Sequence, residues 1–389
     1  MNHDDDLILK NTEVFLKRII FILTGLGMGG AERQVCDLSD EYAKKGYDVL
    51  LISLTGQSKV LPKNKSIKVV EFNISKSPIV VFCALLKSRT LINNFKPDIV
   101  HSHMYHANIF SRMLKLCSKI PFLINTAHSN NEGGRLRMLS YRYTDFLTNL
   151  TTNVSIDATE AFIINGAVKK DKIITVVNGI DTERFQYSNE YRCEKREQLG
   201  FGDDVIFYVA VGRLCEAKDY SNMFKAFSLL IKKLDNSTII PRLGVIGVGE
   251  LSDELEILAK ELRIIDYIQF LGLQNDVEKW LSAADFYLMS SAWEGLPLAI
   301  AEAMSCKCFI ISTDCGGVKE MLGDNGLLVP PKNHTSFAQA MIDGLNFTPE
   351  FISSCKINAR NSAVSKYSLP KIASKWLILY NDIITQKKY

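Results

Sequence analysis

Two glutamates, Glu294 and Glu302, stand on either side of Pro297 in the run Glu294-Gly295-Leu296-Pro297-Leu298-Ala299-Ile300-Ala301-Glu302. Proline suits the first turn of a helix, where its missing amide hydrogen costs nothing. The spacing therefore predicts a loop over Ser290–Pro297, a helix over Leu298–Ser305, Glu294 in the loop and Glu302 on the helix. Unpaired amides and the macrodipole at such a helix start stabilise a diphosphate. Glu302 could then accept hydrogen bonds from a ribose, and Glu294 from hexose hydroxyls. An anion between two carboxylates needs cations, and Val211-Gly212-Arg213-Leu214-Cys215-Glu216-Ala217-Lys218 supplies Arg213, which can chelate phosphate oxygens bidentately, and Lys218, a point charge. Asp314-Cys315-Gly316-Gly317 offers a further glycine loop, or a plain turn.

The first half carries two other constellations. Gly25-Leu26-Gly27-Met28-Gly29-Gly30 fits the G-x-G-x-x-G pattern of a dinucleotide site. That site also wants an acid, or an arginine for a phosphorylated ribose, near the end of the second strand, and Leu51-Ile52-Ser53-Leu54-Thr55 has neither. Gly27, Gly29 and Gly30 are read instead as letting backbone approach an anionic or hydroxyl-rich ligand, with a tight strand-helix turn as the plain alternative. His101-Ser102-His103-Met104-Tyr105-His106 and Thr126-Ala127-His128-Ser129-Asn130 each follow a strand. An H-x-H zinc site lacks a cysteine or carboxylate at ligand spacing, and His101 reads as a strand residue. Glu132, Arg135 and Arg137 form a polar segment that either reaches an acceptor phosphate or is a solvated loop.

These residues need a scaffold of parallel strands. Apolar runs at Arg18–Thr24, Asp48–Ser53, Ile67–Phe72, Ile99–His103, Phe122–Ala127 and Ile173–Val177 alternate with helical spacing at Ala31–Lys45, Ile79–Asn94 and Arg135–Leu150. After a charged stretch without periodicity, Gln186 to Gly202, strands resume at Val205–Val211, Arg242–Ile246, Tyr267–Leu271, Asp285–Met289 and Cys308–Ile311. The fold class expected is α/β, with two Rossmann-like domains facing a central cleft. The boundaries are a tail over 1–17, a first domain over 18–186, a second over 187–366, and a last segment, 367–389, whose helix Leu369–Thr385 would cross back to the first domain.

At 389 residues the chain exceeds the roughly 300 at which one core stops growing, which agrees with two domains. Residues 1–186 hold 24 Lys and Arg against 18 Asp and Glu, whereas residues 187–389 hold 22 against 25. Over residues 59–142, fourteen cations face only Glu71, Asp98 and Glu132. A basic first half points to an anionic partner or to a solvated basic face. No recognised nucleic-acid motif accompanies the charge, so a membrane surface or a lipid-diphosphate acceptor fits better. The nine cysteines form no C-x-x-C pair and read as reduced core residues, with Cys306 and Cys308 in a strand. With no signal peptide and no spanning run, the expected location is the cytoplasm, peripheral at the inner face of the cytoplasmic membrane.

Taken together, Glu294 and Glu302 as E-x7-E, Arg213 with Lys218, Val177-Asn178-Gly179-Ile180-Asp181 with Phe185, and the Leu-Gly-Met-Gly-Gly-Ala-Glu-Arg opening resemble the retaining GT-B glycosyltransferases of family four. The resemblance spans about residues 18–385, and Asp219 departs from it, since the family commonly has glycine after the lysine. It implies a donor site of Arg213, Lys218, Glu294, Gly295, Leu296, Pro297, Glu302 and Gly272, and an acceptor or phosphate loop of Gly27, Gly29, Gly30 and His103. His128 matches a cleft histidine that contacts the transferred sugar, and Glu294, His128, Arg213 and Lys218 form the catalytic set. The implied activity is transfer of a hexose or N-acetylhexosamine from a nucleotide sugar, UDP-linked, to a polyprenyl-diphosphate-linked saccharide of the bacterial surface. No cofactor is expected and no metal: the D-x-D at Asp4–Asp6 lies in the tail. A UDP-N-acetylhexosamine epimerase of the same fold and a non-catalytic sugar-nucleotide-binding protein are the alternatives.

Overall fold

The computed structural model describes residues 16–386 except 28, 76, 131, 203 and 236, so Asp4–Asp6 and Met28 lie outside the described residues. The chain divides into two compact units, one running to Gly179 and resuming at Leu369, the other Ile180–Ser368. The expected second domain began at 187, so residues 180–186 fall on the other side of the division.

The first unit comprises β1 (Arg18–Gly25), α1 (Gly30–Lys44), β2 (Asp48–Thr55), β3 (Lys68–Glu71), α2 (Pro78–Phe95), β4 (Ile99–His103), α3 (Tyr105–Cys117), β5 (Leu123–Ala127), α4 (Arg135–Thr144), β6 (Leu150–Asn153), α5 (Ile156–Ile164) and β7 (Ile173–Thr175). The seven strands run parallel in the order β3-β2-β1-β4-β5-β6-β7. Both faces of β1 are covered, so it reads as a continuous apolar run. Its alternation still sorts the cores: Ile19, Phe21 and Leu23 pack with Val35 and Leu38 of α1, whereas Ile20 and Ile22 pack with Ala84 of α2 and Phe110 of α3.

The second unit comprises α6 (Asn189–Gln198), β8 (Val205–Val211), α7 (Tyr220–Lys233), β9 (Ile240–Ile246), α8 (Ser252–Glu261), β10 (Ile268–Gly272), α9 (Val277–Ala283), β11 (Phe286–Met289), α10 (Leu298–Ser305), β12 (Phe309–Thr313), α11 (Val318–Leu322), β13 (Gly326–Val329), α12 (His334–Asn346) and α13 (Pro349–Tyr367). Its six parallel strands run β10-β9-β8-β11-β12-β13. The order reverses between β8 and β11, and ligands of such sheets bind beyond the strands' carboxyl ends at that point. The last helix, α14 (Leu369–Gln386), buries Leu369, Ile372, Ala373, Trp376, Leu377 and Tyr380 in the first unit's core, a 3.6-residue stripe.

Four expectations need correction. The helix foreseen over Arg135–Leu150 ends at Thr144, and β6 follows. Its Thr151, Thr152 and Asn153 are buried through hydrogen bonds to Arg112, Thr126 and Ser129, so the strand carries no apolar signal. The stretch Gln186–Gly202 contains α6, capped by Ser188 and held by Arg192 and Arg196 on Asp285. Cys306 ends α10 and Cys308 precedes β12, so neither lies within a strand. Strand β13, Gly326–Val329, pairs with β12 and lies outside the expected strands.

Candidate functional site

In the second unit, the loops after β8, β9, β11 and β12 converge. Leaving β8, the chain turns through Gly212–Cys215 and a short 3-10 turn, Glu216–Lys218. The Gly212 amide donates to Ile246 O (2.9 Å) and the Leu214 amide to Val248 O (3.2 Å). Gly247 has φ 137°, and a Cβ there would stand 2.0 Å from Gly212 O, so only glycine fits. The Gly247-Val248-Gly249 turn was missed from sequence, although a glycine pair directly after an apolar run was the available signal.

Asp219 adopts φ 43°, ψ 51°, the left-handed region that favours glycine, and its carboxylate accepts from the Asn222 amide (3.2 Å) to cap α7. Asp219 therefore takes up a backbone conformation that glycine favours and adds a cap. Ser290 Oγ donates to Lys218 O (2.9 Å) and Asp219 O (2.8 Å), and the Ala292 amide to Ala217 O (2.8 Å). These bonds fix the loop after β11 to the loop after β8.

That stitching brings Lys218 Nζ to 2.5 Å from Glu294 Oε1, which also accepts from Ser291 Oγ at 2.8 Å. Both side chains are largely shielded, at 20% and 15% exposure, so water weakens the pair little. Glu294 lies in the loop before α10, with Pro297 at the cap position rather than inside the first turn. Glu302 is half-buried on the second turn of α10, and Leu296 and Pro297 are buried. Arg213 is exposed near the end of β8, and Gly272 ends β10 with φ 63°. Gly317 donates its amide to Gly295 O (2.9 Å), which places the Asp314–Gly317 turn directly against the acidic loop.

The first unit gathers its candidates at the ends of β4 and β5. His103 Nδ1 is 3.1 Å from His128 Nε2, and His103 is 1% exposed. His103 was expected to line the acceptor loop; buried so deeply, it meets His128 rather than a solvent-borne ligand. His101 engages both ring nitrogens, with Tyr380 of α14 (2.7 Å) and Thr126 (2.6 Å), which leaves it no nitrogen for a metal. Burial holds all three imidazoles neutral: His101 and His103 titrate well below the ordinary histidine range, and His128 is pushed down to about 4.

One expectation here is corrected. Glu132 does not extend toward an acceptor: its carboxylate accepts from the His128 amide (3.0 Å), and burial pushes its pKa up. Arg137 is likewise turned inward, donating to Glu132 O (2.8 Å) over the Tyr105 ring. At the glycine loop, a Cβ on Gly29 would lie 2.4 Å from Glu32 Oε2, so the carboxylate of α1's own first turn packs directly against Gly29. Beneath the histidines, the fully buried Arg112 ties β5, β6 and α4 through Asn125 Oδ1 (2.6 Å), Thr151 Oγ1 (3.3 Å) and Tyr141 O (2.8 Å).

The family model for Glycosyltransferase Family 4 matches residues 28–184, and that for glycosyl transferases group 1 matches residues 192–362. The Escherichia coli UDP-Gal:alpha-D-GlcNAc-diphosphoundecaprenol alpha-1,3-galactosyltransferase is 25% identical over 78% of this chain and 80% of its own. The Campylobacter jejuni N-acetylgalactosamine-N,N'-diacetylbacillosaminyl-diphospho-undecaprenol 4-alpha-N-acetylgalactosaminyltransferase is 26% identical over 93% of this chain and 100% of its own. Among solved structures, Anabaena Alr3699/HepE in complex with UDP superposes with a TM-score of 0.80 at 18% identity, covering 94% of this chain and 100% of that one. A Rickettsia africae glycosyltransferase gives 0.82 at 19% identity, covering 95% and 99%.

Proposed function

This chain belongs to family 4 of the glycosyltransferases and has their two-domain GT-B fold, and we propose that it transfers a hexose or N-acetylhexosamine from a UDP-sugar with retention of configuration. The acceptor in this reading is a polyprenyl-diphosphate-linked saccharide in bacterial surface polysaccharide assembly, O-antigen or capsule. Two relatives named for diphosphoundecaprenol-linked acceptors support the acceptor class, and a fold neighbour holding UDP supports the donor. The observation that carries the reading is the Lys218–Glu294 pair beside the start of α10.

Without donor, each member of that pair neutralises the other. A diphosphate at the α10 amides draws Lys218 toward its oxygens, Arg213 adds a bidentate contact, and Glu294 turns its freed oxygen to the sugar hydroxyls while Ser291 holds it. Glu302 meets the ribose. The bond from the anomeric carbon to the diphosphate breaks as the acceptor oxygen bonds on the same face, and the acceptor proton passes to the departing diphosphate oxygen. UDP and the glycoside are the products. The residues thus stabilise charge on the leaving group rather than supply a strong base, and neutral His128 is the first unit's candidate hydrogen-bonding group for a sugar. The cations and helix end carry the countercharge, so the reaction runs without a metal.

Among the described residues no helix is long and apolar enough to cross a membrane; the lipid-linked acceptor is met from the membrane surface, at the inner face of the cytoplasmic membrane. Incubation with UDP- and GDP-sugars, with and without lipid-linked acceptor, tests the proposal. Transfer from a UDP-sugar that requires the acceptor is expected. Conversion of a UDP-N-acetylhexosamine without acceptor would instead identify an epimerase, and undiminished function of Glu294→Ala in cells would identify a binding protein.

A further inference from the structure

Helices α2, α3 and α4 lie side by side on one face of the first unit's sheet. Their sequences, PIVVFCALLKSRTLINNF, YHANIFSRMLKLC and RLRMLSYRYT, contain no Asp or Glu. Their outer sides carry large apolar side chains. On α2, Ile79, Phe82 and Leu86 are 74%, 59% and 45% exposed, spaced three and four residues apart on one stripe. On α3, Leu116 is 70% exposed, and on α4, Leu136 and Tyr143 are 83% and 73% exposed. Exposed Lys87, Arg89, Arg135 and Arg142 stand among them. Phe146, 74% exposed, extends the surface just past α4.

The acids nearest in sequence do not offset this charge. Asp98 accepts from the Lys17 and Arg18 amides, Glu132 from the His128 amide, and Asp145 is buried against Lys172. Large exposed apolar side chains interspersed with cations and lacking acids suit an anionic lipid surface, where rings and aliphatic chains enter the headgroup region and Lys and Arg meet phosphates. An acidic protein would also match the cations, but large exposed apolar side chains spread over three separate helices suit a bilayer, which takes up apolar groups across a broad face.

We propose that the outer face of α2, α3 and α4 docks on an anionic bilayer and holds the enzyme at its lipid-linked acceptor. The proposal rests on the acceptor class given above. It commits to a lipid surface as occupant, and the two exposed cysteines on this face, Cys83 of α2 and Cys117 of α3, provide its test, with exposed Cys193 of the second unit as internal control.

The full chain is mixed with phosphatidylglycerol or phosphatidylcholine vesicles and pulsed with a bulky maleimide, and labelling is read at each cysteine by mass spectrometry. On phosphatidylglycerol, Cys83 and Cys117 are expected to label about tenfold more slowly while Cys193 is unchanged, with little effect on phosphatidylcholine. Phe82→Glu with Leu136→Glu should abolish both the protection and flotation with vesicles. Vesicle binding that leaves Cys83 and Cys117 as reactive as Cys193 overturns the proposal, as does absence of binding. Protection that appears with rising protein concentration and no lipid would assign the face to a second copy of the chain and overturns it equally. Transfer to a water-soluble, short-chain acceptor separates the two readings: retained transfer without vesicle binding defeats only the docking face, whereas docking without any transfer defeats only the proposed function.

Discussion

Gly316, at φ 55°, lies so tightly against Glu294 that a Cβ at this position would stand 2.4 Å from the Glu294 carbonyl oxygen. The turn after β12 therefore sets the height of the acidic loop. Gly316→Ala forces that loop to move and also places alanine in the left-handed region. Displacements on this scale cost about 10²-fold in catalysis, so kcat/KM for transfer should fall by about that factor while circular dichroism stays native. Wild-type kinetics in Gly316→Ala would show that the loop position is immaterial.

The Lys218–Glu294 pair makes a coupled prediction. Removing either partner leaves the other uncompensated, and in the proposed reaction each group also has its own contact to donor. Lys218→Ala and Glu294→Gln should each lower transfer about 10²–10³-fold, and the double variant should lose less than the product of the two. Titration calorimetry with UDP alone should register Lys218→Ala strongly and Glu294→Gln weakly, because UDP lacks the sugar hydroxyls.

Asp219 separates backbone from cap. Asp219→Gly relieves the positive φ as it loses the cap, and glycine itself caps well, so stability should change by only a few tenths of a kcal/mol. Asp219→Ala loses the cap and keeps the strain, and denaturant unfolding should report a cost of about 1–2 kcal/mol.

The three histidines set an acid limit. Each has a folded pKa below its unfolded value of about 6.5, so the unfolded chain binds protons first as pH falls. Their contribution is complete above about pH 6.5 and is lost as pH drops through that value toward 4, the folded pKa of His128. Chemical unfolding midpoints should fall steeply between pH 6.5 and 4.5. Replacing His103 by asparagine should flatten that fall while lowering the midpoint at pH 7.5.

Metal independence is tested by chelation. Dialysis against EDTA should leave transfer within about twofold of the untreated enzyme if, as proposed, Arg213, Lys218 and the α10 amides supply the positive charge. Loss of activity that magnesium or manganese restores would require a different account of the leaving group.

Legibility in the sequence followed burial. Strands covered on both faces, such as Val205–Val211, announce themselves as apolar runs, whereas the return of α14 to the first unit's core is permitted by its sequence and shown only by the packing of Leu369 to Ile384. Strand β6 was hidden because Thr151, Thr152 and Asn153 satisfy buried hydrogen bonds rather than bury carbon. Glu294, Pro297 and Glu302 could be placed from one proline and helical spacing. The Lys218–Glu294 contact could not, since it depends on Ser290 and Ala292 binding the backbone of a loop more than seventy residues earlier. Likewise, nothing in a histidine's type reveals that His103 is buried behind His128, or that Glu32 covers Gly29.

The anomeric configuration of the product tests the central claim most directly. With an α-linked UDP-hexose or UDP-N-acetylhexosamine donor and a polyprenyl-diphosphate-linked acceptor, the one-bond C–H coupling of the new linkage should report an α-glycoside, formed by wild type and nearly absent with Lys218→Ala. A β-glycoside would contradict same-face transfer at the Lys218–Glu294 site.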